Sequence, residues 1–204
     1  AEHRAQELGP PIQMCDALSR NNPKFSSRLS GAAEDLVAVI LANCLAHGRR
    51  KFTDVAENFP AECEHVLNTL GKVYQVDEQA RVEKLNPEER LRLHQRLSEP
   101  LMKKLHVWLN AELDEKRTEP NSGLGKAIKY LLNHWRALTV FFRVAGAPLD
   151  NNIVERAIKK AVLHRKNALF YLTMNGAQVG DLFMSLIHTC RLNGVNPFEY
   201  LLAI

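Results

Sequence analysis

The sequence predicts a mainly α-helical fold with a small β-sheet. Three observations carry that expectation. Apolar residues recur at three- and four-residue spacing through most of the chain beyond residue 60. Two short runs, near 12–16 and 37–43, are expected to form the sheet. Between the periodic segments stand Pro, Gly, Asn and Ser, the residues that start and stop helices.

Taken in order, residues 1–30 read as irregular or partly helical, broken by Gly9-Pro10-Pro11 and Asn21-Asn22-Pro23. Between those breakers, Ile12-Gln13-Met14-Cys15-Asp16 reads as a short buried strand ending at Asp16. An acid at the carboxyl end of a strand stands where open α/β sheets place their chemistry, although a helix-capping Asp fits the same pattern. Leu36–Cys44 is continuously apolar and β-branched at its centre, so Val37–Asn43 is expected as a strand buried on both faces. A basic turn or helix start follows, with Arg49, Arg50 and Lys51 in succession.

Residues 61–81 place Cys63, Val66, Leu67, Leu70, Val73 and Tyr74 at helical core spacing. Asn86-Pro87-Glu88-Glu89 opens a second helix, with Pro at its first position. Ser98-Glu99-Pro100 is expected to interrupt and restart it, and Leu101, Leu105, Trp108 and Leu109 then share a stripe. After a loop at 118–125, Ala127–Val144 is expected as one long apolar helix. Its aromatics Trp135, Phe141 and Phe142 read as core rather than as a base-stacking platform. Ala168–Tyr171 reads as a short strand or extended link. Gly176–Leu192 reads as a helix stopped by Asn193-Gly194, and Asn196-Pro197 opens a terminal helix.

At 204 residues the chain is one large or two small domains, with 46% hydrophobic and 25% charged residues. No apolar run approaches the roughly 20 residues that cross a bilayer, so no membrane association is expected. The first residues are polar, carry no signal-peptide core and lack Met, as in a piece cut from a longer chain. Cys15, Cys44, Cys63 and Cys190 are scattered, which suits a reduced cytoplasmic protein. Cys44-Leu45-Ala46-His47 has metal-ligand spacing, but no second pair completes a zinc site. The net charge of +4 is uneven: Asp54–Glu119 holds 14 acids against 10 Lys and Arg, and the remainder is strongly basic. The segments around Arg49 and Arg165 are therefore candidates for a phosphate backbone, or simply a solvated basic surface.

The stretch Asp150-Asn151-Asn152-Ile153-Val154-Glu155-Arg156 reads as a loop entering a helix. Ile153, Val154, Ala157, Ile158, Ala161 and Val162 share one face and are expected to be buried. Asn151, Asn152, Glu155, Arg156 and Lys159 share the other, followed by His164, Arg165 and Lys166. One acid among amides and cations suits a metal ligand in a nucleic-acid enzyme. From the pattern alone the commoner arrangement is a capping Glu that reaches back to the first turn or pairs with Lys159.

Five motifs occur in order: Cys44–Phe52, Gly125–Tyr130, Asp150–Ala157, Arg165–Phe170 and Leu192–Leu201. Together they resemble the C-terminal half of the transposases of the insertion sequence 66 family, from about Pro11 to the end of the chain. That resemblance implies a DDE enzyme with a ribonuclease-H-like core interrupted by a long helical insertion. Residues 1–53 would be part of that core, 54–147 the insertion and 148–204 the C-terminal helices of the core. It implies that Asp16 and Glu155 are the second and third of three acids that hold Mg²⁺ or Mn²⁺ for DNA strand cleavage and transfer. Arg49, Arg50, Lys51, Asn151, Asn152, Arg156, Lys159, Arg165 and Lys166 would contact DNA. The first acid would lie upstream, so the chain is expected to be inactive alone, needing the missing half or a homo-oligomer. The other reading is a non-catalytic helical DNA-binding or interaction module. A hydrolase using His47 or His164 as base is a third, without a Ser or Cys nucleophile motif to support it.

Overall fold

In the computed structural model, residues 10–17, 39–167 and 169–204 are described; the Val37–Ala38 part of the second expected strand and most of residues 1–30 lie outside them. The chain divides into two units, residues 1–151 and 152–204.

The first unit is built on strands β1 (Ile12–Cys15) and β2 (Ile40–Asn43), which pair in parallel. Ile12 is opposite Ile40 and Cys15 opposite Asn43, so both strands end at the same edge. Helix α1 (Leu45–Thr53) leaves β2 directly through Cys44. Helices α2 (Pro60–Val82) and α3 (Pro87–Asp114) form a long hairpin, followed by α4 (Gly123–Asn133) and the single turn α5 (Trp135–Leu138).

Local chemistry explains the helix starts. Asn86 accepts from the amides of Glu88 and Glu89, and the Glu89 carboxylate accepts from the Asn86 amide, so two otherwise unpaired amides are satisfied reciprocally. Ser122 accepts from the Gly125 amide at 3.0 Å and starts α4. One core then joins every helix of this unit: Leu45 and Phe52 from α1, Val66 and Leu70 from α2, Leu105 and Leu109 from α3, Ile128 and Leu131 from α4. Each such side chain removed from water contributes about 1.5–3 kcal/mol.

Two helices of this unit depart from the expectation of the sequence. Pro100 does not interrupt the helix, since α3 runs unbroken from Pro87 to Asp114. Proline costs a helix interior about 3 kcal/mol, but Pro100 is exposed, so the carbonyl it leaves unpaired can be hydrated. The buried stripe of Leu93, Ser98, Met102, Leu105 and Leu109 holds the helix through that point. Ala127–Val144 is not one helix. It breaks at His134, makes α5, then a 3-10 turn at Val140–Phe142. Leu138, Val140, Phe141 and Phe142 are all buried, and no single helical face could bury that whole set.

The second unit holds α6 (Asn152–Asn167), a 3-10 turn (Leu169–Leu172), α7 (Met174–Leu192) and α8 (Pro197–Ala203). Leu169–Tyr171 is thus helical rather than an extended link, and Ala168 lies outside the described residues. The Tyr171 ring packs on α7 at Gly180, where a Cβ would lie 2.3 Å from the ring. The apolar stripe expected to be buried on α6 is not: Val154, Ile158 and Val162 are each 42–55% exposed, and Ala157 is half-buried. Among the described residues of this unit, the 3-10 turn is the main neighbour of α6, and it is too short to cover sixteen residues of helix. The side chains of Ile153 and Ala161 lie outside the described residues.

Candidate functional site

Two parallel strands that end together, followed by a helix, create a polar edge, because the last carbonyls and the first helical amides lack strand partners. Here that edge is formed by Cys15-Asp16, Asn43-Cys44 and the start of α1. The Cys44 amide donates to the Cys15 carbonyl at 2.8 Å, and the Cys15 thiol donates to Asn43 Oδ1 at 3.3 Å. Asp16, half-buried, is the first residue beyond β1. Its carbonyl accepts from the Tyr130 hydroxyl at 3.3 Å, and Ala17 then takes a left-handed conformation (φ 64°). Such a conformation is costly for a residue with a Cβ and clusters at functional sites.

The segment that precedes α6 is anchored to the same edge. The Leu45 amide donates to the Leu149 carbonyl at 3.0 Å, and the Asn151 amide donates to the Cys44 thiol sulfur at 3.4 Å. Ala147 and Leu149 are buried, and Asp150 and Asn151 are half-buried. This segment therefore runs beside the end of β2 and brings a second acid, Asp150, to the edge where Asp16 stands.

Neutral donors surround these acids. Burial, and then the nearby Asp150 carboxylate that its phenol faces, raise the Tyr74 pKa strongly. Tyr130 is pushed up to about 12, by burial first and then by Cys44 and Asp16. Burial also raises the Cys44 thiol, so it stays protonated near neutral pH. The hydroxyls therefore remain donors.

Arg49, Arg50 and Lys51 are all exposed on α1, with the Lys51 ammonium 5.7 Å from the Tyr130 ring centre. At 1.5 Å rise per residue they begin about 8 Å along the helix from Cys44. In the second unit, Glu155 occupies the first turn of α6 and is half-buried, as is Asn152. Arg156, Lys159, Arg165 and Lys166 are exposed along the same helix. The Arg156 guanidinium donates to the Asn152 carbonyl at 3.2 Å.

The structure thus brings Asp16, Asn151 and the Arg49–Lys51 helix into one unit, and gathers Asn152, Glu155 and the other cations on α6 in the other. Sequence reasoning missed Tyr74, Tyr130 and Asp150 as members of the edge. Tyr74 has the spacing of a core residue, Asp150 reads as a cap, and only tertiary folding reveals their surroundings.

Comparison with known proteins supplies the class. The family model described as "Transposase IS66 family" matches residues 31–179. The chain belongs to that family. It is 37% identical over 163 residues to the uncharacterized protein y4jD of Sinorhizobium fredii (strain NBRC 101917 / NGR234), covering 79% of this chain and 31% of the relative. It is 31% identical over 181 residues to the uncharacterized protein y4hP of the same strain, covering 83% of this chain and 32% of the relative. The chain spans about a third of the length of these curated relatives. No solved structure matches. Among the described residues, no helix is long and apolar enough to cross a membrane.

Proposed function

We propose that this chain is part of the catalytic region of a DDE transposase with a ribonuclease-H-like core, acting on the DNA ends and target of an insertion sequence. The observation that carries this reading is the polar edge. Asp16 follows a parallel strand directly, and the segment leading into the Glu155 helix is hydrogen-bonded beside the neighbouring strand. Open α/β sheets place their chemistry at this end of the strands.

In this reading Asp16 is the second metal-holding acid and Glu155 the third, and the first comes from another part of the transposase. The two acids offer the hard oxygen ligands that suit Mg²⁺ or Mn²⁺. Divalent ions bound there would supply activation of water and of a DNA 3′-hydroxyl. Asp16 and Glu155 would hold them. Arg49, Arg50, Lys51, Arg156, Lys159, Arg165 and Lys166 neutralise the phosphate backbone, and Asn151 and Asn152 donate to phosphate oxygens. Two acids of three hold an ion weakly, so the chain alone is expected not to cleave DNA.

The test joins this chain to the remainder of such a transposase and measures strand cleavage with Mg²⁺ or Mn²⁺. Glu155→Gln keeps the shape of the side chain and removes the charge, and Asp16→Asn does the same. Both should abolish cleavage with the fold intact by circular dichroism. Full activity in Glu155→Gln would instead favour a capping role for that residue and a non-catalytic DNA-binding module.

A further inference from the structure

Helices α2 and α3 contain a chain of buried and part-buried polar contacts that the proposed metal chemistry does not use. Ser98 and His94, both fully buried, lie 2.9 Å apart through Oγ and Nδ1. The other ring nitrogen of His94 is 3.1 Å from Asp77 Oδ1. That same oxygen accepts from Arg90 through Nε at 2.7 Å and pairs with Nη2 at 2.6 Å. The series Ser, His, Asp has the order of a nucleophilic triad. With Ser98 and His94 both sealed in the core, no substrate reaches the hydroxyl, so the series is a support. What it supports is Arg90, whose Nη1 donates to the Ala147 carbonyl at 2.6 Å, 57 residues away in sequence.

We propose that Arg90 is a positioning residue: held by Asp77, His94 and Ser98, it clamps Ala147 and thereby fixes the segment 147–151 from which the Glu155 helix departs. The segment is then pinned at three points, Ala147 by Arg90, Leu149 by the Leu45 amide and Asn151 by Cys44. Gly146 just before it has φ 78°, and the turn it makes is closed by the Ala147 amide, which donates to the Val144 carbonyl at 3.2 Å. An arginine whose two sides are engaged by a carboxylate and a carbonyl is a rigid strut, because its planar fork loses little freedom on binding. The acidic helical hairpin thus supports the segment that leads into the Glu155 helix, and so serves the metal site in the proposed reading. The second half of this statement rests on the proposed role of Glu155; the clamp itself does not.

The test uses the 204-residue chain and Arg90→Met, which keeps the length of the stem and removes the donors, with Arg90→Lys as the conservative variant. Hydrogen exchange should accelerate at least tenfold at the amides of Leu45 and Asn151 in Arg90→Met. It should change far less at Leu70 and Leu109 in the core, and Arg90→Lys should lie between. Unchanged exchange at Leu45 and Asn151 would overturn the clamp, and so would an equal acceleration at all four amides, which signals global loss of stability. Mn²⁺ affinity of the same chain, read by water proton relaxation, should fall about tenfold, the low end for groups that orient metal ligands. If the unsubstituted chain binds Mn²⁺ and Arg90→Met binds it equally, the aiming of Glu155 is refuted. If Glu155→Gln binds as well as the unsubstituted chain, the metal role of Glu155 fails instead, and exchange alone decides the clamp.

Discussion

Gly125 and Gly71 make a matched pair in which the same substitution should have opposite signs. Gly125 lies in the first turn of α4, and a Cβ built there would be 2.3 Å from the Glu119 carbonyl oxygen and 2.8 Å from Pro120 Cα. Both atoms are backbone, so the 119–120 turn must move by about 1 Å to reach ordinary contact. That turn carries the cap, since Ser122 Oγ donates to the Glu119 carbonyl at 2.7 Å and accepts from the Gly125 amide at 3.0 Å. Overpacking costs about 1–3 kcal/mol and a lost cap about 1 kcal/mol. The better helix propensity of Ala returns up to about 1 kcal/mol. Gly125→Ala should therefore destabilise by about 1–3 kcal/mol, lowering the melting temperature by about 3–10 °C for a unit of this size. Gly71, in the middle of α2, has nothing within 4 Å of its ideal Cβ. Gly71→Ala should stabilise by about 0.5–1 kcal/mol. Thermal melts of both variants by circular dichroism at 222 nm decide it. Shifts of the same sign, or a Gly125→Ala protein as stable as the parent, would refute the packing described for α4.

Other outcomes follow from the same structure. Replacing Arg49, Arg50 and Lys51 by Ala should weaken DNA binding alike for every sequence. It should also reduce the slope of log affinity against log salt by up to about 3, because each neutralised phosphate releases counterion; an unchanged slope would move the contact to Arg165 and Lys166. Burial raises the Asp77 carboxyl, but the hydrogen bond from His94 and the charge and hydrogen bonds of Arg90 outweigh it and hold the pKa below the usual range. The stability this adds is present above the unfolded pKa of about 3.9 and is lost as pH falls through the lower folded value. The stability gap between the parent and Asp77→Asn should therefore be constant above about pH 5 and narrow below about pH 4. A gap that widens in acid would contradict the pairing.

Much of the helical frame was legible because its signals are local. Pro87 at the first position of α3 and Asn196-Pro197 at α8 mark real helix starts, and the structure adds the reciprocal Asn86–Glu89 bonds and a 3.0 Å bond from the Phe198 amide to Asn196. The elements misjudged are those in which tertiary packing outweighs local preference. Pro100 survives within α3 because the stripe on either side of it is buried. The run beyond His134 keeps a helix-like pattern, with Arg136, Thr139 and Arg143 on one side and apolar residues elsewhere, so its spacing did not reveal where the helix tightens into a 3-10 turn. On α6 the spacing identified an apolar face, but spacing alone does not say whether an element is there to cover it. At the polar edge, Asp16 could be read from its position after a short apolar run. The Arg90–Ala147 and Tyr130–Asp16 bonds join residues 57 and 114 positions apart and leave no local trace.

Iron-mediated backbone cleavage tests most directly the proposal that Asp16 and Glu155 hold the same divalent metal. In the transposase carrying this segment, Fe²⁺ in place of Mg²⁺, with ascorbate and peroxide, releases radicals that cut the chain beside the metal's ligands. Cuts are expected both near Asp16 and near Glu155, suppressed together by excess Mg²⁺ and by either Asp16→Asn or Glu155→Gln. Cuts near only one of the two, or a Glu155→Gln protein that is still cut at Asp16 with full efficiency, would contradict the shared site.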